Sequence, residues 1–321
     1  MDQLRGTLTL LGERPLGRRG PRVTALGLGC APLGNLYRAI DDESATAVVD
    51  AAWEAGIRFF DTAPLYGNGL SERRVGAALA RRPRKDFVLC TKVGRLLQSP
   101  EAGAHVDTIF ADAPRLEPVY AYSRDSVLRS IEESLSRLGL DHIDVVHVHD
   151  PDNHEQEALT GAFPTLIELR EQGVISAVGC GMNQWQMLDR FVQRVDLDCI
   201  LLAGRYTLLD RSGADVLLPR CVEREVGVVI GGVFNSGLLA DPIVNSTFDY
   251  GPAPESIRDK ARGLAGVCSA RGVSIVAAAV QFALRHEAVS SVVVGAQTVA
   301  ELEIDVGAAV APLPADLWVD L

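Results

Sequence analysis

The 321-residue chain is 47% hydrophobic and 23% charged, with a formal net charge of −11. Those values suit a soluble globular protein; the acidity argues against a nucleic-acid surface or an anionic membrane as partner, while leaving room for a locally basic pocket. Cys30, Cys90, Cys180, Cys199, Cys221 and Cys268 form no CxxC pair and sit mostly in apolar segments. With no leader and no apolar run near ~18 residues, the chain reads as cytoplasmic, without a disulfide scaffold or metal site.

Residues 1–22 are rich in Gly, Arg and Pro and read as a cap or hairpin, with Thr7–Leu11 as a candidate strand. Val23–Gly29 is a short strand entering a Gly/Pro loop. Asp41 and Asp42 offer N-caps to a helix carrying Val48, Val49, Ala52 and Trp53, and Gly56 stops it. An alternation follows: strand 57–61, helix 71–81, strand 87–91, helix 123–138, strand 143–149, helix 156–172, strand 174–180, helix 184–194. It continues with strand 197–203, helix 214–225, strand 226–231, helices 255–271 and 273–286, strand 290–294 and helix 298–310. In helix 123–138, Ser123 is a natural N-cap, Val127, Ile131, Leu135 and Leu138 make one apolar stripe, and Gly139 ends it.

Short strands, apolar on both faces and separated by helices, are the mark of a parallel sheet. Eight of them predict an α/β fold of the (β/α)8 TIM-barrel type, with an N-terminal hairpin cap and residues 1–321 forming one domain. A doubly wound sheet would want G-x-G-x-x-G after its first strand; Gly27-Leu28-Gly29-Cys30-Ala31-Pro32 ends in Pro. Irregular segments 94–121 and 235–254 each follow a strand, so both belong over the C-terminal mouth as substrate or cofactor covers.

Asp61, Lys92 and His149 each end a different predicted strand, and Tyr66 lies in the loop after the second. In a barrel these positions converge. A Tyr hydroxyl with a pKa near ~10 is a poor proton carrier at neutral pH. A neighbouring Lys ammonium stabilises tyrosinate, a buried Asp keeps that Lys charged, and a neutral His orients a substrate oxygen. Taken singly, each has a plainer reading: a cap for the Asp, a solvated end for the Lys, a satisfied structural group for the His. A metal-dependent hydrolase built on His147 and His149 is the weakest alternative.

The pattern resembles the aldo-keto reductase family along essentially the whole chain. The resemblance is carried by Phe60-Asp61-Thr62-Ala63 with Tyr66-Gly67 and Ser71-Glu72, by Leu89-Cys90-Thr91-Lys92, and by Asp144-Val145-Val146-His147-Val148-His149. It implies Tyr66 as general acid/base, Lys92 and Asp61 as its tuning pair, His149 as substrate orienter, and a nicotinamide dinucleotide held in the barrel mouth. Asn183 stands where the family holds the nicotinamide carboxamide, although Met182 replaces the preceding Ser. Gly231 stands for the usual stacking aromatic, and Ala203 for a Gln. The C-terminal signature, with Gly295, Gln297, Glu301 and Asp305, lacks the Lys or Arg of NADP-preferring relatives. Glu301 would repel a 2′-phosphate, which implies NAD and leaves NADP open.

Within that family the chain is similar to a branch that oxidises cyclic hemiacetals, comprising L-fucose or D-threo-aldose dehydrogenases and pyridoxal 4-dehydrogenase. The segments carrying this are Pro32–Tyr37, His149–Asp152, Ala203–Asp210 and Gly231–Gly237. The implied substrate is a sugar or pyridoxal-like small molecule, with Tyr37, Asp150 and Asn235 as contacts. An NADPH-dependent carbonyl reductase and a non-turnover nicotinamide-binding sensor subunit stay open, as does the oligomeric state.

Overall fold

The computed structural model describes residues 12–101 and 108–321. Eight parallel strands close into a barrel in the order β6-β7-β8-β1-β2-β3-β4-β5. They are β1 (Leu26–Gly29), β2 (Phe59–Asp61), β3 (Val88–Val93), β4 (Val145–His149), β5 (Ala177–Met182), β6 (Cys199–Ala203), β7 (Gly227–Gly231) and β8 (Val289–Val294). The expected (β/α)8 architecture is therefore observed. The helices around it are α1 (Asp42–Ala55), α2 (Leu70–Leu79), α3 (Arg124–Leu138), α4 (Phe163–Glu171), α5 (Trp185–Arg194), α6 (Leu217–Glu223), α7 (Glu255–Ala270), α8 (Ile275–Leu284) and α9 (Val299–Val310).

Local chemistry explains most boundaries. Asp41 caps α1 by accepting from Ser44 N–H at 2.7 Å. Ser123 caps α3, whose C-terminus is Gly139 at φ 64°, a left-handed residue that costs glycine nothing. Ser71 and Glu72 do not cap α2 but are buried fasteners. Ser71 Oγ donates to Cys30 O at 2.7 Å, while the Glu72 carboxylate accepts from Thr91 Oγ1 at 2.7 Å and Arg137 Nε at 2.6 Å. The expected helix 156–172 is observed as one run over 155–171, wound into a π-helical turn at Ala158–Ala162 just before α4, where Pro164 lacks the N–H that a regular α-helical ladder would use.

One expectation at the N-terminus changes. Thr7–Leu11 lies outside the described residues. Val23 and Thr24 do not continue β1 but pair antiparallel with Glu13–Pro15, Arg14 opposite Val23. That hairpin closes the barrel's N-terminal end: Leu16 and Val23 pack in one cluster with the inward-facing Phe59, Cys90, Val145, Cys199 and Val229. A larger apolar layer lies between the strands and the helices.

The segment after β3 contains an antiparallel hairpin, Arg95–Gln98 with Glu117–Tyr120, and the segment after β7 a smaller one, Thr247–Phe248 with Gly251–Pro252. All six cysteines are unbonded and buried. Among the described residues no single helix is long and apolar enough to cross a membrane.

Candidate active site

The barrel register decides which side chains share the mouth. Asp61 is level with Cys90, and Lys92 with His147, which is level in turn with Gly179. Lys92 reaches back toward β2, so its Nζ lies 2.7 Å and 3.0 Å from the two Asp61 oxygens and 2.9 Å from Thr62 O. Both side chains are almost wholly buried. Burial alone would discharge the Lys92 ammonium, but Asp61, helped by Tyr66 and Cys90, outweighs it and the net shift is upward.

Tyr66 comes from the turn after β2 and lies between these groups and β4. Lys92 Nζ sits 4.6 Å from its ring centroid, and the His149 ring meets it edge-on at 5.9 Å. Phe110 packs on it at 6.2 Å. Desolvation raises the Tyr66 pKa, the Lys92 charge opposes this and Asp61 reinforces it; the net direction is up. The expected lowering by Lys92 is thus present but smaller than the cost of burying a phenolate, so the resting group is the phenol. His149 is neutral: burial first, then the charges of Lys92 and Arg95, hold its pKa well below the ordinary value. These four expected residues form one cluster.

His147 lies deeper, among thiols, with Cys90 Sγ 3.6 Å from Nδ1 and Cys199 Sγ 3.3 Å from Nε2. Burial and Lys92 push its pKa down to about 3. It fits because β5 has no side chain beside it: a Cβ on Gly179 would stand 2.2 Å from His147 Cδ2. Asp61, Cys90 and His147 place donor atoms within 4.8 Å of one another, the one such group among the described residues, but the Asp61 carboxylate already holds Lys92.

Across the mouth, Asn183 Nδ2 donates to Ala203 O at 3.0 Å and Asn235 Nδ2 to Gly204 O at 3.3 Å. Asn235, expected to face substrate, sits beside Asn183, and its Oδ1 is buried with no partner among the described residues. A Cβ at Gly231 would make only ordinary contacts, 3.4 Å to Leu201 and 3.8 Å to Val293. Packing therefore does not demand glycine there, and the end of β7 presents bare backbone. The unpaired buried amide oxygen of Asn235 fits a group that carries an amide N–H.

At the rim, Gln297 is turned toward the β1 loop, donating to Arg38 O at 2.8 Å and Leu36 O at 3.1 Å. Thr298 caps α9 by accepting from Glu301 N–H at 3.2 Å, while the Glu301 carboxylate accepts from Gln297 N–H at 2.7 Å and Arg38 stands 3.5 Å from its other oxygen. Arg38 was not singled out from the sequence, being 263 positions away from Glu301 (301 − 38). The buried Arg74, which donates to Leu33 O and Asn35 Oδ1, fixes the loop that presents it. Asp305 lies one turn beyond Glu301; burial and the Glu301 charge push its pKa up to about 8. A Cβ at Gly295 would be 2.8 Å from Pro32 Cγ.

Tyr37 is 52% exposed; burial of its hydroxyl raises its pKa, and the nearby Ser236 opposes that shift. Tyr250, also missed, sits near Tyr66, Tyr37 and Asp150, close enough to shift their ionisation or have its own shifted by them. A cleft of about 500 Å3 lined by Tyr122, Arg124, Thr160 and Glu168 lies outside the barrel, away from this chemistry.

A barrel whose mouth gathers Asp, Tyr, Lys and His around an amide-lined space defines a class, and the chain belongs to the aldo/keto reductase family, whose pattern matches residues 25–320. It is therefore an oxidoreductase of a family that uses nicotinamide cofactors. It is 44% identical to D-threo-aldose 1-dehydrogenase of a Pseudomonas species, over 94% of each chain. It is 41% identical to pyridoxal 4-dehydrogenase of Microbacterium luteolum, over 96% of each. Among solved structures, the holo form of an aldo-keto reductase from Bacillus halodurans superimposes with a TM-score of 0.76 at 28% identity, covering 97% of this chain and 95% of that one.

Proposed function

We propose that this protein oxidises a cyclic hemiacetal, an aldose in its ring form, to the lactone. The observation that carries this is the placement of the Tyr66 ring between the Lys92 ammonium, 4.6 Å away, and the neutral His149 ring, 5.9 Å away. The similarity to two dehydrogenases, one named for an aldose and one for pyridoxal, supports the direction and the substrate class. Pyridoxal also closes to a cyclic hemiacetal, so it is the second reading.

Asn183, Asn235 and Gly231 would hold the nicotinamide end of the cofactor, and Gly295, Gln297, Glu301 and Asp305 the adenosine end. Bound there, the cofactor supplies the hydride acceptor. NAD is the proposed form, because Glu301 brings a carboxylate to the rim and the nearby Arg38 is already engaged with it. His149 donates a hydrogen bond to the substrate oxygen and fixes the reacting carbon. Tyr66 accepts the hydroxyl proton as the C–H bond breaks, and Lys92, kept charged by Asp61, stabilises the tyrosinate that must exist at that moment.

The test is initial rates on L-fucose, D-arabinose, L-galactose and pyridoxal with NAD and NADP, alongside Tyr66→Phe. Sugar oxidation with NAD is expected, falling roughly 10²- to 10⁴-fold in the variant, as removal of an acid/base group does. Because burial raises the Tyr66 pKa, the wild-type oxidation rate should climb about tenfold per pH unit between pH 7 and 9. A flat profile would remove Tyr66 as the base. Turnover of pyridoxal alone would move the substrate, carbonyl reduction alone the direction, and cofactor binding without turnover would favour a sensor.

A further inference from the structure

The residue after His149 turns back on it. Asp150 has φ 42°, a left-handed conformation that Asp tolerates, and its N–H donates to Gly181 O at 3.0 Å, so the chain end stays tied to β5. The turn brings Asp150 Oδ2 to 3.5 Å from His149 Nε2. Arg95, at the start of the mouth hairpin, reaches the same oxygen at 2.9 Å and lays its guanidinium 4.7 Å from the Tyr120 ring centroid. Tyr122 fixes the strand end by donating to His149 O at 2.9 Å and Asp150 O at 3.2 Å. Arg95 Nε is nonetheless buried without a partner among the described residues. A buried guanidinium N–H lacking an acceptor is costly and uncommon, and beside a reacting centre it is where a ligand completes the pairing.

A hydroxyl group both donates and accepts, and here an anionic acceptor and an unused cationic donor stand together against the imidazole that faces the reacting carbon. We propose that Arg95 and Asp150 form a recognition pair for the ring hydroxyl adjacent to the carbon being oxidised: the hydroxyl donates to Asp150 and accepts from Arg95 Nε. This rests on the hemiacetal reading above and narrows it to aldoses bearing a 2-hydroxyl. The groups acting on the Asp150 carboxyl are Arg95, Lys92 and Asp152, with His149 and Tyr250 nearby; burial leads, and the carboxyl is raised to about 6, so the pair is charged at neutral pH.

The experiment compares D-arabinose with 2-deoxy-D-ribose, the same pentose without its 2-hydroxyl, in wild type, Asp150→Asn, Arg95→Ala and Arg95→Lys, with melting curves to confirm folding. Wild type should prefer D-arabinose. Asp150→Asn and Arg95→Ala should lower kcat/KM for D-arabinose roughly 10- to 100-fold, the range for a hydrogen bond to a charged group, and lower it for the deoxy sugar by a clearly smaller factor, so that the preference for D-arabinose shrinks about tenfold. Arg95→Lys should fall between, having lost the planar fork. Equal losses on both sugars, or no wild-type preference, overturn the pair while leaving hemiacetal oxidation standing. If wild type oxidises neither of these sugars, nor L-fucose or L-galactose, the aldose reading falls and takes the pair with it.

Discussion

At the floor of the mouth, Asp61, Lys92 and His149 are buried on the last one or two residues of β2, β3 and β4. At the rim, Arg38 and Glu301 are exposed, their side chains 60% and 48% accessible, on a loop and a helix end. The floor is held by strand register and by charges with nowhere else to go. The rim is held by a helix cap at Thr298 and solvent-shared contacts. Under the function proposed, the chemistry sits where a misplaced charge would also undo the fold, and cofactor selectivity where a substitution costs the fold little.

Replacing Asp61 by Asn tests the floor. It should cost about 3–5 kcal/mol, because Lys92 is left buried without its counter-charge. Activity should collapse with stability, read from denaturant melts and initial rates. Stability unchanged within about 0.5 kcal/mol would deny the floor its double role. The rim should yield far less. Glu301→Gln should tighten NADP about three- to tenfold in a fluorescence titration with little change in NAD binding or melting temperature, and Arg38→Ala should weaken NADP by a similar factor. If Glu301→Gln changes neither dissociation constant, Glu301 serves only its helix cap.

Asp305 sharpens the division, since it is a rim residue with the burial of the floor. Its folded pKa, about 8, lies above the ordinary 3.8. The folded state therefore holds the proton more tightly, and this contribution to stability is full below about pH 4 and lost as pH rises toward 8. Asp305→Asn should melt with wild type at pH 4 and a few °C above it at pH 8. Equal melting at both pH values would mean that solvent already reaches the carboxylate.

The same division explains what the sequence disclosed. Strands of β/α period and the Asp61, Lys92 and His149 positions were legible because each is marked locally, by an apolar run ending on a titratable residue, and Tyr66 because it lies in the short loop that follows Asp61. The split between Val23–Thr24 and β1 was not, since only the antiparallel partner Glu13–Pro15 distinguishes a hairpin strand from a barrel strand. Arg38 was invisible because its role depends on a contact between the first and last parts of the barrel. Arg95 had a local signal, a basic residue at the mouth three positions after Lys92, but nothing in sequence tied it to Asp150. The direction of the Tyr66 shift depended on burial, which no spacing reports.

The cavity that Gly179 leaves for His147 has a genealogical consequence. A methyl group at position 179 and an imidazole at 147 exclude each other, since the new carbon would stand 2.2 Å from the ring and 2.9 Å from Cys199 O. The constraint runs one way: position 147 can change while 179 stays glycine, but a descendant that acquires alanine at 179 must already have shed the histidine and eased the Cys199 backbone aside. The two positions, 32 residues apart (179 − 147), would therefore change in a fixed order through a lineage, the imidazole lost first.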